Sequence, residues 1–455
     1  MAVARVVRQD EIFRADARVV ALDAGRRHAL ARDVGHDHVD DRIARRDDVE
    51  ALLGAHSIRA GKKHRNRNRR DGQKHPAPDA VAHARLVAYV VDMTPRDLLA
   101  RLLRPAGGGV YVVSTGTEEQ RAVQERLYGV SGEEAVRERF HAQLDRLAEA
   151  RVVVLGVPSD VGAGYLRGAN VAPQAIRAAF FDRHGGWPEG VVDAGDVLVV
   201  PQLLEDGMLS QEQIRASQDA QYPDVAEPER RSIPVSPLSK ASRALDAIFA
   251  LAPNAKPFVL GGDHSCAWPV VEALYRARRE PFGVVQIDAH TDLLAERLGV
   301  RYCFATWSYH ANKLIGRSGK LVQVGVRASR HERGHWEATL GVRQFWAEEC
   351  LRDPAAALDA IVAHVKSTGV KSVYFSNDID GTDERFVDAT GTPEPGGLEP
   401  EFVTELVRRL GREIGLTAGD LMEVAPPIAR TPDGAARTLD VAVGYARATL
   451  DALLG

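Results

Sequence analysis

Short apolar runs recur along the chain from residue 152 onward, and each ends at a glycine or a polar residue. Segments with helical spacing of apolar residues lie between them, among them Ala241–Leu251, Val270–Arg278, Ala355–Ser367 and Glu401–Ile414. The runs themselves are Val152–Gly156, Val191–Val192, Pro257–Leu260, Val284–Ile287, Leu321–Gly325, Ser372–Phe375 and Leu421–Val424. Apolar strands that alternate with helices predict parallel βαβ units in a sheet buried on both faces.

The first 92 residues follow a different pattern. Their apolar residues show neither helical nor alternating spacing, and Lys62–Arg70 is a basic run. One interpretation is an arm that contacts nucleic acid or an acidic partner. The other, which we favour, is a disordered extension or a start codon assigned too far upstream.

A helical pattern begins directly after this segment. Met93 is followed by Thr94, a suitable N-cap, and by Pro95, which suits the first helical position. We therefore divide the chain into an extension at 1–92, a helical segment at 93–150 that packs on the core, and a main domain at 151–455. The polar stretch from residue 202 to 240, which holds four prolines, predicts a surface insertion.

Composition narrows the class of protein. Hydrophobic residues make up 45% and charged residues 27% of 455 residues, which is typical of soluble proteins. The net charge of -4 gives no reason to expect nucleic acid or a membrane as a partner. No apolar run reaches the roughly 18 residues of a membrane span, and a signal-peptide core is missing. Three cysteines without C-x-x-C spacing favour a reduced, cytoplasmic protein.

Acids and imidazoles follow three of the predicted strands, where ligands gather in parallel sheets. Asp288, His290 and Asp292 come after one strand, and Asp378 with Asp380 after another. His264 follows a third strand, within Gly261-Gly-Asp-His-Ser265, whose glycines allow the backbone to turn.

Two imidazoles and four carboxylates in one place require compensating cations. A carboxylate-rich, thiolate-free set suits a hard divalent ion such as Mn²⁺, and six ligands fit two ions roughly 3.5–4 Å apart. The alternative is that these residues are N-caps and turn acids, which are common where a strand meets a helix. That alternative is plausible for any single aspartate but poor for three segments together.

The motifs GGDHS, DAHTD and S-x-D-x-D-G-x-D, in this order, resemble the metal motifs of the ureohydrolase family, which comprises arginases, agmatinases and formimidoylglutamases. The resemblance covers roughly residues 150 to 450 and is greatest to agmatinase-like members. Other similar stretches are Gly156–Asp160, Pro173–Arg177, Asp193–Asp196, Thr390–Leu398 and Asp420–Pro426.

The resemblance implies a three-layer α/β/α fold with a mostly parallel central sheet, two Mn²⁺ ions, and a homotrimer or homohexamer. Residues 151–455 would then be the catalytic domain. Asp292 would ligate metal and orient the attacking hydroxide, and Glu423 would hold the substrate's guanidinium by charge-assisted hydrogen bonds. The reaction would release urea and an amine from a small guanidino substrate.

The chain departs from the family in a loop that usually carries a His-Gly pair, where it has Phe304-Ala305. His310, six residues further on, is the candidate replacement, with a histidine of no catalytic role as the alternative. Asn377 and Glu384 are further departures. These departures bear on which substrate the chain binds more than on the metal centre.

Agmatine or a guanidino acid is preferred to arginine as the substrate. The alternatives are an arginase, another amidine or amide hydrolase such as a formimidoylglutamase, and a catalytically silent metal-binding member. His331-Glu-Arg-Gly-His335 matches a metalloprotease motif, but Gly334 weakens the helix that this motif needs.

Overall fold

The computed structural model describes residues 93–455. The extension predicted at 1–92 lies outside the described residues. The helices are α1 (Pro95–Leu102), α2 (Thr117–Tyr128), α3 (Glu133–Asp145), α4 (Ala172–His184), α5 (Gln211–Gln221), α6 (Glu227–Arg230), α7 (Pro237–Leu251), α8 (Trp268–Ala277), α9 (Trp307–Ile315), α10 (Arg333–Leu340), α11 (Ala347–Arg352), α12 (Pro354–Ser367), α13 (Pro400–Glu413) and α14 (Gly434–Leu454). Among these helices, none combines the length and the apolar composition that a bilayer crossing requires.

One sheet organises the described part of the chain. Its strands are β1 (Leu103–Arg104), β2 (Val152–Val157), β3 (Val191–Val197), β4 (Lys256–Gly261), β5 (Phe282–Ile287), β6 (Leu321–Val326), β7 (Arg343–Trp346), β8 (Ser372–Asn377) and β9 (Leu416–Leu421). They lie in the order β1-β3-β2-β4-β9-β8-β5-β6-β7. Only the pairing of β1 with β3 is antiparallel among those described. The prediction of a mostly parallel sheet is confirmed.

Helices cover both faces of the sheet. Successive side chains of a strand point to opposite sides, and in β2 the side chains on both sides are apolar. Val153 and Leu155 of β2 belong to one apolar cluster, together with α7 and α8. Val152 and Val154 belong to a second cluster, together with α4, α12, α13 and α14. The result is the three-layer α/β/α architecture that the resemblance implied.

Helix α1 begins as the sequence predicted. Thr94 is its N-cap, and the Thr94 side chain accepts a hydrogen bond from the backbone N–H of Asp97. Leu99 and Leu102 are fully buried and join the cluster formed with α7.

The sequence prediction was wrong for three strands, one of which, the two-residue β1, was not predicted. The last strand was expected at Leu421–Val424, but β9 ends at Leu421. Its polar residues concealed it, since Asp420 is buried within the sheet and not exposed in a loop. Strand β7, at the other edge of the sheet, was missed. The predicted surface insertion at 202–240 contains two helices and buries apolar side chains such as Tyr222 and Ile233.

Candidate metal centre

The predicted ligands follow strands that are near neighbours in the sheet. Strands β4, β9, β8 and β5 are adjacent and parallel, so their carboxyl ends share one edge. His264 follows β4, Asp378 and Asp380 follow β8, and the segment Asp288–Asp292 follows β5. The strand order therefore brings three distant parts of the chain to one place, as expected for ligands at the ends of parallel strands.

One half of the site forms around His264. Its Nδ1 lies 3.0 Å from an Oδ2 of Asp378, 3.2 Å from Oδ2 of Asp288 and 3.5 Å from Oδ2 of Asp292. All four side chains are buried. Three carboxylates thus converge on a single imidazole nitrogen.

The other half forms around His290. Its Nδ1 lies 3.1 Å from Oδ2 of Asp380 and 3.5 Å from Oδ1 of Asp288. Asp288 therefore directs one oxygen to each half. The structure brings all six predicted ligands together, and Asp288 links them.

The donor set fits a pair of divalent cations. Within the described residues, His264 Nδ1 makes no hydrogen bond, although carboxylate oxygens surround it. Burial would lower the pKa of His264, but the adjacent carboxylates of Asp288 and Asp378 raise it well above its usual value. Burial, and then the charge of Asp288, raise the pKa of Asp292 well above its usual value. Protons on these groups compensate the buried charge, and cations can replace those protons.

Neighbouring side chains fix the orientation of His264. Its Nε2 lies 3.0 Å from Oγ of Ser376, and that hydroxyl donates to the carboxylate of Asp420, at 3.0 Å from Oδ2. Such a partner on the far ring nitrogen is usual for metal-ligating histidines. The Trp307 ring packs on the imidazole, with centroids 4.6 Å apart, and its Nε1 donates to Oδ2 of Asp292 at 3.1 Å.

Arg327 holds together the segment that carries Asp380. Its Nη2 donates to the backbone oxygens of Asp380 and Glu394, both at 2.8 Å. Thr392 Oγ1 donates to Oδ2 of Asp380 at 3.1 Å. The similarity of Thr390–Leu398 to the ureohydrolase family therefore has a physical basis, since this stretch supports a predicted ligand.

Glu423 lies directly beside the His264 half. Its Oε1 accepts a hydrogen bond from the backbone N–H of His264 at 2.9 Å. Glu423 has φ 60, a left-handed backbone conformation that costs a residue other than glycine about 1–3 kcal/mol. Burial, and then the charge of Asp378, raise the pKa of the Glu423 carboxyl well above its usual value. A cation bound in the His264 half would favour the ionised form of the Glu423 carboxyl.

His310 lies in a different environment. Its Nε2 contacts the backbone oxygens of Ala295 and Arg301, both at 3.0 Å, and its ring packs against Tyr302 at 4.9 Å between centroids. Burial lowers the pKa of His310, which favours the neutral ring. These contacts tie the loop together and favour the alternative of a histidine with no catalytic role. A catalytic role of His310 as the replacement for the loop histidine stays a prediction.

Phe304 is the residue that the resemblance aligned with the family's loop histidine. Its backbone N–H donates to Gly162 O at 3.1 Å, and the ring lies against Gly164, where a Cβ would be 3.4 Å from Cζ. The guanidinium of Arg297 lies over the ring, 5.0 Å from its centroid. The loop that follows β2 is thus packed on an aromatic side chain at this point.

The remaining departures are less informative. Asn377 is buried, and its backbone N–H donates to Oδ1 of Asp420. Neither polar atom of its side-chain amide has a hydrogen-bond partner among the described residues. Glu384 is partly exposed and lies 3.8 Å from Arg430. His331 precedes α10, and its exposed ring stacks on that of His335. The two histidines therefore do not share a helix as a metalloprotease pair requires.

Comparison with known proteins gives a consistent result. The arginase family model matches residues 150–449. A guanidinobutyrase from Pseudomonas aeruginosa is 30% identical over 292 residues, which are 63% of this chain and 81% of that protein. An N(1)-aminopropylagmatine ureohydrolase from Thermus thermophilus is 34% identical over 282 residues, 61% of this chain and 84% of that protein.

A solved structure shares both the fold and detectable sequence similarity. Proclavaminate amidinohydrolase from Streptomyces clavuligerus superposes with a TM-score of 0.51 at 27% identity. The superposition covers 67% of this chain and 93% of that one.

Proposed function

The chain belongs to the arginase family of hydrolases that act on carbon–nitrogen bonds of linear amidines, and we propose that it cleaves a guanidino substrate to urea and an amine with two Mn²⁺ ions. The proposal includes a homotrimer or homohexamer and a cytoplasmic location. The observation that carries it is the shared carboxylate of Asp288, which directs Oδ2 to the His264 half and Oδ1 to the His290 half.

Each half would hold one ion. His264, Asp292 and Asp378 would bind the first, His290 and Asp380 the second, and Asp288 both. When bound, the ions supply a water molecule of lowered pKa, so that hydroxide is available near neutral pH.

Asp292 and Glu423 would perform the rest of the chemistry. Asp292 orients the attacking water, takes up its proton and returns that proton to the leaving amine. Glu423 binds the planar guanidinium through charge-assisted hydrogen bonds and places its carbon beside the nucleophile. The bond between the guanidinium carbon and the amine nitrogen then breaks, and urea is released.

The relatives support a guanidino compound that ends in an amine or a carboxylate. The similar proteins named above are a guanidinobutyrase and an N(1)-aminopropylagmatine ureohydrolase. We therefore propose agmatine or a guanidino acid ahead of arginine. Phe304 in place of the loop histidine favours the second candidate, a different amidine or amide bond. A silent member is disfavoured because all six ligands and Glu423 converge at one edge of the sheet.

The test is urea release by Mn²⁺-loaded protein from agmatine, guanidinobutyrate, guanidinopropionate, arginine and free guanidine. Urea from one of them is expected, with no release after chelation of the metal. If two ions are bound and none of the five yields urea, the proposal fails in favour of another bond or a silent member.

The variant Glu423→Gln tests the assignment of the guanidinium partner. Loss of the charge is expected to remove about 3 kcal/mol of interaction, or roughly a hundredfold in kcat/KM, with two ions still bound. Glu384→Gln is the matched control, because the one ion pair of Glu384 among the described residues is a long contact with Arg430, away from the six predicted ligands. Equal activity of the two variants would contradict the role of Glu423.

A further inference from the structure

Three glutamine side chains form a hydrogen-bonded row that ends at Asp288. Gln286 on β5 pairs in register with Gln323 on β6, which pairs with Gln344 on β7. All three are fully buried, on the face of the sheet that also carries the apolar cluster around α7 and α8. A buried amide without partners is costly, so a row of three in this position needs a complete set of hydrogen bonds.

The hydrogen bonds run in one direction across the three strands. Gln344 Nε2 donates to Oε1 of Gln323 at 2.8 Å, and Gln323 Nε2 donates to Oε1 of Gln286 at 2.8 Å. Gln286 Nε2 then donates to Oδ2 of Asp288 at 2.7 Å. Every amide therefore presents its NH₂ group toward the predicted metal centre.

Two groups outside the row determine this direction. The indole Nε1 of Trp346, which can only donate, bonds to Oε1 of Gln344 at 3.0 Å. The backbone oxygen of Thr291, which can only accept, receives a hydrogen bond from Gln323 Nε2 at 2.5 Å. With Gln323 fixed in this way, Oε1 of Gln286 must be the acceptor. Ser308 Oγ donates to the same oxygen at 2.6 Å.

We propose that Gln286 is a positioning residue for Asp288 and that Gln323 sets the direction in which the Gln286 amide faces. Asp288 receives one N–H on each oxygen, from Gln286 on Oδ2 and from the backbone of His290 on Oδ1, at 2.6 Å. These two donors fix the plane of the carboxylate that both halves share. A reversed Gln286 amide would place an oxygen against Oδ2 and repel the carboxylate. The inference rests on the proposed two-metal function.

Three matched substitutions test the row, each replacing a buried glutamine with methionine of similar length. Gln286→Met is expected to raise the apparent Kd for Mn²⁺ about 10- to 100-fold, the usual effect of losing a hydrogen-bond partner of a metal ligand. Gln323→Met is expected to have a smaller effect in the same direction, since Ser308 still bonds to Gln286. Gln344→Met is the control and is expected to change the Kd by less than about threefold.

The control separates positioning from stability. Gln344→Met leaves the Trp346 N–H and the Gln323 carbonyl unpaired, so its metal-free form should lose thermal stability, as that of Gln286→Met should. The measurements are calorimetric titration of Mn²⁺ into metal-free protein and the visible spectrum of the Co²⁺-loaded form. The spectrum is expected to change in Gln286→Met and to stay unchanged in Gln344→Met.

The proposed function and the positioning role of Gln286 fail on different results. If the unsubstituted protein binds fewer than two ions, the proposed function fails. If it binds two and Gln286→Met keeps its affinity and spectrum, the positioning inference is overturned. An equal loss of affinity in Gln344→Met also overturns it, because the effect would then follow stability. If Gln286→Met is insoluble, unchanged affinity in Gln323→Met overturns the inference in its place.

Discussion

Asp292 combines a strained backbone with a side chain directed at the predicted metal centre. Its φ of 52 lies in the left-handed region, and its carboxylate is 3.5 Å from Nδ1 of His264. The substitution Asp292→Ala removes both a ligand and the group that handles the proton. We expect kcat to fall by about three orders of magnitude, or about 4 kcal/mol of the barrier, and metal binding to be lost. Urea release and Mn²⁺ titration measure the two effects.

Leu298 offers a control for the backbone in the same loop. It has φ 51 and a fully exposed side chain. Leu298→Ala makes the same kind of truncation in the same backbone region and is expected to leave hydrolysis and metal binding unchanged. Full activity in Asp292→Ala would refute the mechanism, and equal losses in both variants would assign the effect to the loop.

At the residue scale, the sequence predicted the clustered ligands because each is part of a motif at the end of a strand. It did not predict the supporting residues Trp307, Ser376 and Asp420. Asp420 lies in a strand whose other residues are small or apolar, and a buried acid there was the one signal available. His310 was selected for its distance from Phe304 along the chain. Its position along the chain does not show that two backbone oxygens contact its ring nitrogen.

The helix α7 is connected to its surroundings through a buried lysine. Lys240 Nζ donates to Leu198 O, after β3, at 2.9 Å and to Oε1 of Gln221, at the end of α5, at 2.5 Å. Burial, followed by the charge of Arg104, lowers the pKa of Lys240 to about 7. The unfolded chain keeps this proton up to about pH 10.5, so the free energy of unfolding rises as the pH increases from about 7 to about 10.5.

The variant Lys240→Met should remove this contribution. The rise attributable to Lys240 is about 2 kcal/mol between pH 7 and pH 9, and denaturant unfolding at the two pH values measures it. Lys313→Met is the control, because Lys313 is exposed and should leave the rise intact. An unchanged rise in Lys240→Met would mean that the folded protein keeps this lysine charged.

Elements with a clear period were predicted well, and elements that carry polar groups into the core were not. Helices α7, α8, α12 and α13 agree with the predicted segments to within a few residues at each end. Strand β7 was missed because Arg343 and Gln344 interrupt a short apolar run. Gln344 belongs to the buried glutamine row and accepts a hydrogen bond from Trp346, so the polar residue that concealed the strand lies in the core.

At the scale of the whole molecule, alternating strands and helices predicted a parallel sheet but not the order of its strands. No local feature of the sequence shows that β9 lies between β4 and β8. That position places Glu423, which follows β9, next to His264, which follows β4. The arrangement of the site therefore depends on contacts between segments that are distant along the chain.

The last prediction concerns the length of chain that the enzyme needs. Residues 93–455 include the whole described sheet, both apolar clusters and all the predicted site residues. A chain that begins at Met93 should therefore fold, bind two Mn²⁺ ions and show a kcat/KM within about twofold of the full chain, a difference of only about 0.4 kcal/mol. Thermal unfolding, metal titration and urea release measure these properties.

A shorter chain that begins at Gly107 serves as the control. It lacks α1 and β1, and with α1 the fully buried Leu99 and Leu102, each of which contributes about 1.5–3 kcal/mol by burial. This chain should lose thermal stability although every predicted site residue remains. Loss of solubility or activity in the chain from Met93 would show that the first 92 residues contribute to the enzyme. Equal stability of the two shortened chains would show that α1 is not part of the folding unit.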